Sequence, residues 1–174
     1  MAETKQCSYC AQLYLESEKE CPHCADAKRY INATGLVGIG LEKLRKELPQ
    51  LMTELGEDAG HPIPPLFSVV IYRLYHTGVE PSTNTWTGPG PKTPPGFRDC
   101  PVCEMAIPED ETGCGHCEEA FEYLRKWGID IDEAKPTLEQ IEQDIYGQIL
   151  CKIPPKYVLM IYRRYHMAKG DAWK

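Results

Sequence analysis

The pattern of apolar and polar positions repeats along this chain. One block reads Ile63-Pro64-Pro65-Leu66-Phe67-Ser68-Val69-Val70-Ile71-Tyr72-Arg73-Leu74-Tyr75-His76. A second reads Ile153-Pro154-Pro155-Lys156-Tyr157-Val158-Leu159-Met160-Ile161-Tyr162-Arg163-Arg164-Tyr165-His166. Eight of the fourteen positions are identical, where unrelated segments would share about one. Val69-Val70-Ile71-Tyr72 alone would suit a strand. The matching run contains Leu159 and Met160, and paired prolines suit a helix start, so both blocks are predicted helical. Another helix precedes each block. Leu138, Ile141, Ile145 and Ile149 recur at helical spacing and mark a helix over 138–150, led in by Pro136. Its counterpart spans Leu41–Leu55, with Pro49 as a kink or break. Two further segments, Ala25–Ala33 and Glu118–Trp127, lack Gly and Pro and carry acids early and bases later, as the helix dipole prefers. The expected fold is mainly α, a unit of about three helices built twice.

What precedes those last two segments carries the chemistry. Cys7, Cys10, Cys21 and Cys24 form two CxxC pairs ten residues apart, and Cys100, Cys103, Cys114 and Cys117 repeat that spacing. Four thiolates in two such pairs are the ligand set of a closed, tetrahedral structural zinc site. The expectation is two zinc ions per chain, each held by small hairpins, with polar loops or hairpins over 11–20 and 104–113. A helix beginning at or within each second pair would turn its N–H groups and partial positive charge toward the thiolates. His23 and His116 sit inside the second pairs and are read as exposed residues rather than ligands, since four thiolates already fill the shell. The units are 1–78 and 100–174. Between them, residues 79–99 hold five prolines, three glycines, four threonines and Trp86, a connector composition.

At 174 residues the chain allows one or two small domains. Units this small sit near the limit for a self-sufficient core, where a bound metal is a common stabiliser. Eight of nine cysteines are absorbed by metal, leaving Cys151, a usage that fits a reducing, cytoplasmic setting rather than a disulfide framework. The N-terminal residues form no apolar signal, and no apolar run approaches the ~18 residues a bilayer span needs. Two divalent ions on eight thiolates would carry the formal charge from −7 to about −11. That field opposes polyanions at long range. The charge is uneven: residues 104–150 hold thirteen acidic and three basic side chains, whereas residues 151–174 hold six basic ones and only Asp171. The basic segment is expected to pair with acids of its own unit, with Glu139, Glu142 and Asp144 as partners. A phosphate-binding stripe is the alternative.

The CxxC-x10-CxxC spacing resembles double zinc ribbons and related treble-clef modules. The resemblance covers only Cys7–Cys24 and Cys100–Cys117. It implies a zinc-bound module and no particular activity. The residues that follow the cysteine pairs are Ala11, Ala25, Glu104 and Glu118, where ribbons often have glycine. A helix after the second pair favours treble-clef geometry. Cys21-Pro22-His23-Cys24 and Cys114-Gly115-His116-Cys117 also match the active-site tetrapeptide of thiol–disulfide oxidoreductases. That fold needs a hydrophobic strand just before the motif, and Glu16–Glu20 and Pro108–Gly113 are polar.

No nucleophile motif, phosphate loop or open three-ligand metal site appears in the sequence. The expected function is therefore binding: a protein–protein adaptor or inhibitor without catalysis, suited by its acidity to partners with basic surfaces. Nucleic-acid binding by the basic C-terminal helix is the second reading, and redox chemistry the third. The candidate interaction face comprises Tyr72, Arg73, Tyr75, His76, Tyr162, Arg163, Arg164, Tyr165 and His166. The competing reading docks each of these helices on its own zinc module.

Overall fold

A computed structural model describes residues 3–33, 41–73, 93–149 and 152–168, with the side chains of 41–45, 148 and 165–168 outside the description. The chain divides into two compact units, Met1–Thr85 and Trp86–Lys174. Each has the same order of elements. Unit 1 contains β1 (Thr4–Gln6), β2 (Leu13–Leu15), α1 (Pro22–Ala33), α2 (Leu41–Ala59) and α3 (Pro65–Tyr72). Unit 2 contains β3 (Phe97–Asp99), β4 (Ala106–Pro108), α4 (Gly115–Trp127), α5 (Ile131–Ile149) and α6 (Pro155–Ala168). Among the described residues the fold is mainly helical, and no helix is long and apolar enough to cross a membrane.

The third helix of each unit is its centre. In α3, Val69, Val70, Ile71 and Tyr72 are all buried, because the helix packs on both α1 and α2. A helix apolar all round needs cover on every side, which is why its sequence also reads as a buried strand. In unit 2, α6 packs on α4 and α5, burying Val158, Leu159, Met160 and Ile161. Pro65 occupies the first turn of α3, where its missing N–H costs no hydrogen bond.

Several expectations change. Pro49 does not end α2, which continues to Ala59. The α5 helix does not wait for Pro136 but starts at Ile131. The Asp130 carboxylate accepts hydrogen bonds from the N–H groups of Asp132 (2.9 Å) and Glu133 (3.3 Å), which caps the helix five residues earlier than the proline suggests. Finally, α1 has no acid in its first turn and no base in its last, so only α4, with Glu118, Arg125 and Lys126, follows the dipole pattern. The strand Phe97–Asp99 lies in the stretch read as connector. It pairs with β4, and Thr93 donates to the Asp99 carboxylate at 2.7 Å, so residues 93–99 belong to the second hairpin. Trp86 and Cys151 lie outside the described residues.

Candidate metal centres

Each first CxxC pair sits at the tip of a hairpin. The antiparallel pairs β1–β2 and β3–β4 flank Cys7–Cys10 and Cys100–Cys103, so the hairpin encloses the first pair instead of lying between the pairs as expected. The tip is closed the same way twice. The Ala11 N–H donates to the Cys7 carbonyl (2.9 Å) and the Cys7 N–H to Gln12 (2.9 Å). Glu104 donates to Cys100 (2.8 Å), and Cys100 to Met105 (2.9 Å). Closing so tight a loop drives the residue after each pair into the left-handed region. Ala11 has φ 58° and Glu104 φ 56°, the two non-glycine residues with positive φ among those described. The usual glycine of such a turn is absent from the sequence, but the conformation that favours it is present.

The chain then crosses to the second pair, held on the way by a cation from the first strand. Lys5 Nζ donates to the Glu16 carbonyl at 3.3 Å, and Arg98 Nη2 to that of Glu111 at 2.9 Å. Cys21 and Cys114 precede the helices, and Cys24 and Cys117 lie in their first turns. The N–H groups of Ala25 and Glu118 donate to the Cys21 and Cys114 carbonyls, both at 3.0 Å, starting each helix. His23 and His116 are half-buried on that first turn, rather than exposed as expected, and belong to neither cluster.

Four sulfurs meet in each unit. The close approaches are Cys7–Cys24 at 3.8 Å and Cys10–Cys21 at 3.6 Å in unit 1. In unit 2 they are Cys100–Cys117 at 3.8 Å and Cys103–Cys114 at 3.7 Å. All four atoms of each set lie within 4.8 Å of one another. A tetrahedral ion with metal–sulfur bonds of about 2.3 Å needs sulfur–sulfur edges of about 3.8 Å. The two groups thus fit a metal ion each. The distances are far beyond the ~2.05 Å of a disulfide, and each of these four approaches joins one CxxC to the other. Ile107 packs with the second set in a small buried cluster of its own.

As free thiols, these cysteines hold their protons unequally. The Cys10 N–H, followed by that of Tyr9, lowers Cys7 to about 7. The Cys103 and Val102 N–H groups lower Cys100 to about 6, with Val102 N at 3.4 Å from the sulfur. Burial pushes Cys10 and Cys103 up to about 11. Burial and then neighbouring thiols push Cys24 and Cys117 above the usual range. A metal ion entering either site must displace protons from the raised thiols, which couples its affinity to pH.

The expected interaction face fares differently residue by residue. Tyr72 is 3% exposed, Arg73 2% and Tyr162 5%, so these three belong to the interior and cannot form a surface face. Arg73 Nη1 donates to the Tyr30 hydroxyl of α1 at 3.4 Å, and Arg163 Nη1 to that of Tyr123 of α4 at 3.4 Å. Arg163 also stacks over the Trp127 ring. Tyr72 donates to Glu47 at 3.1 Å. Arg163 and Arg164 are half-buried. Tyr75 and His76, and the side chains of Tyr165 and His166, fall outside the described residues. The third helix thus docks on the helix that opens at the metal site, through the same Arg–Tyr pair in both units. Tyr30 and Tyr123 stand six residues after Cys24 and Cys117, an equal offset that could have pointed to them.

Two bases of the C-terminal segment pair within unit 2, with other acids than expected. Lys156 lies 3.5 Å from Glu119 of α4, and Lys152 pairs with Glu104 at the hairpin tip. Comparison with protein-family models, with curated proteins and with solved structures finds no match for this chain.

Proposed function

We propose that this is a zinc protein of duplicated treble-clef-like units that works by binding other proteins. Zinc is the ion that four thiolates in a closed tetrahedron suit best, and such sites stabilise small folds. A hairpin-tip pair followed by a pair at a helix start is treble-clef-like geometry. A full shell of four protein ligands leaves no position for substrate, which supports a structural ion over a catalytic one. Thiolate ligation also suits a reducing, cytoplasmic setting.

The observation that carries the binding reading is apolar exposure at the hairpin tips. Tyr9 is 66% exposed and Val102 76%, at matching positions between the cysteines of each first pair. Large apolar side chains held out by a rigid, metal-anchored turn suit contact with a partner. Affinity capture of the zinc-loaded chain, with and without nuclease, tests the reading. Protein partners that survive nuclease and are lost on Tyr9→Ser with Val102→Ser support it. Loss of all partners on nuclease treatment refutes it in favour of nucleic acid.

A further inference from the structure

A groove opens beside the metal site in each unit, at the same place. In unit 1 it measures about 600 Å³ and runs between the hairpin tip, α2 and the turn at 60–63. In unit 2 it measures about 460 Å³ between the hairpin tip, α5 and the Lys152–Ile153 approach to α6. Ile63 and Ile153 lie at the base of the two grooves, and Cys10 and Cys103 on their walls. Among the described residues each groove is lined by one tyrosine, from opposite walls. Tyr9 comes from the first hairpin, and Gly56 stands on the helix across from it. In unit 2 the hairpin offers Val102, and the helix position matching Gly56 holds Tyr146, 46% exposed.

Both grooves are negative. Of the described residues lining the first, Glu57 is the single Asp, Glu, Lys or Arg. The second carries Glu142, Glu104 and Lys152, with Lys152 paired to Glu104. Partial desolvation at the groove wall, then the nearby Glu139, pushes the Glu142 carboxyl above its ordinary range, although the residue stays open to solvent. A four-thiolate centre with a divalent ion adds about two negative charges at the wall of each groove. An aromatic face beside a carboxylate is a site for a cationic side chain, through cation–π attraction and ion pairing together. At about 600 and 460 Å³ the grooves hold a few side chains, less than two turns of a helix about 10–12 Å across require.

We infer that each groove binds a short, extended, basic peptide segment of a protein partner, seating one apolar side chain on the floor and Lys or Arg against the tyrosine and carboxylate. This rests on the protein-binding reading and names its sites and the chemistry of its partner.

The probe is the blocked peptide Arg-Lys-Leu-Arg-Lys, titrated at low salt into the zinc-loaded, isotope-labelled full chain and followed by amide chemical shifts. Saturable shifts are expected at 9–11, 52–57, 60–63, 102–104 and 142–147, one peptide per unit. Tyr9→Ser with Glu57→Lys should weaken the first site about tenfold and leave the second, and Tyr146→Ser with Glu142→Lys the reverse. Tyr9, Glu57, Glu142 and Tyr146 are exposed, and retained zinc content checks that each variant folds. Glu57→Gln and Glu142→Gln replace any variant that loses metal. Absence of saturable shifts, shifts outside the grooves, equal binding of Glu-Asp-Leu-Asp-Glu, or indifference to the substitutions overturns the inference. A cellular protein partner retained by the fourfold variant also overturns it while keeping the broader reading. Peptide binding in the grooves with no protein partner in cells upholds the sites and removes that reading.

Discussion

The left-handed residues at the hairpin tips give a sharp test of how the metal sites are built. Ala11 and Glu104 hold φ of 58° and 56°, a conformation that costs a residue with a Cβ about 1–2 kcal/mol. Glycine escapes that cost but gives the unfolded chain freedom worth about 0.4–1 kcal/mol. Ala11→Gly should therefore stabilise unit 1 by roughly 0.5–1 kcal/mol. Glu104→Gly relieves the same strain but also removes the exposed pair with Lys152, worth about 0–1 kcal/mol, so its net effect should be near zero. Ala11→Val puts a β-branched side chain in the same region and should destabilise by at least about 1 kcal/mol. In small metal modules the binding free energy is folding free energy. The Ala11→Gly gain should thus appear as roughly two- to fivefold tighter zinc binding in competition with a chromophoric chelator. Slower exchange of the Cys7–Ala11 amides should accompany it. Weaker zinc binding in Ala11→Gly, or no loss in Ala11→Val, would refute the strained-turn account.

Other predictions follow from the same packing. Tyr30→Phe leaves the buried Arg73 short of an acceptor and should cost unit 1 about 1–2 kcal/mol in urea melts. Tyr123→Phe should cost less, because Arg163 is only half-buried and stacks on Trp127. Among the described residues the buried Ser68 Oγ meets no hydrogen-bond partner, and the matching residue of the other unit is Val158. Ser68→Ala should raise stability by about 1 kcal/mol, and a loss would mean that the hydroxyl has a role in the core. In chelated protein, Cys10 and Cys103 at about 11 stabilise fully below their ordinary value of 9.0 and lose that contribution as pH rises toward 11. Cys7 and Cys100, at about 7 and about 6, stabilise fully above 9.0 and lose it as pH falls. Metal-free stability should therefore peak near pH 9 and fall on both sides. The zinc-loaded chain, its thiols already ionised, should lack the thiol-driven fall that begins near pH 9, keep the loss in acid, and decline in alkali only as buried tyrosines such as Tyr30 and Tyr157 ionise above their ordinary value of 10.0. Urea melts across that range with and without chelator would separate the two profiles.

The four-cysteine clusters were legible because ligand chemistry demands particular residues at particular spacing, and a repeat of the spacing leaves little room for chance. Helices were legible where an apolar stripe was long. The hairpins were harder to place. Strands of three residues, such as Thr4–Gln6 and Phe97–Asp99, are too short to show alternation, and proline and glycine before Phe97 made its strand look like connector. The start of α5 was hidden by Pro136, whose bias against helix is local, while the decisive cap at Asp130 lay outside the periodic segment.

The inward turn of Tyr72, Arg73 and Tyr162 shows a deeper limit of reading by residue type. Arginine and tyrosine at the end of an apolar run look like surface, because burying a guanidinium alone is costly. The cost falls when a partner is built opposite, and here Tyr30 meets Arg73 and Tyr123 meets Arg163 across a helix pair, 43 and 40 residues apart along the chain. Neither half of the pair announces itself without knowledge of which helices face each other. The recurrence in both units supplies that information in retrospect. An Arg that follows Ile-Tyr in one repeat and again in the next, with a tyrosine at fixed distance after each second CxxC, behaves as one structural element distributed over two helices. It links the metal site to the centre of the helical core, since α1 and α4 begin at the ligand cysteines and carry the tyrosines two turns on. Loss of metal should therefore loosen the third helix of the same unit first. The opposite order, with the α2–α3 or α5–α6 contact opening before the Arg–Tyr contact in hydrogen exchange of the chelated chain, would break that link.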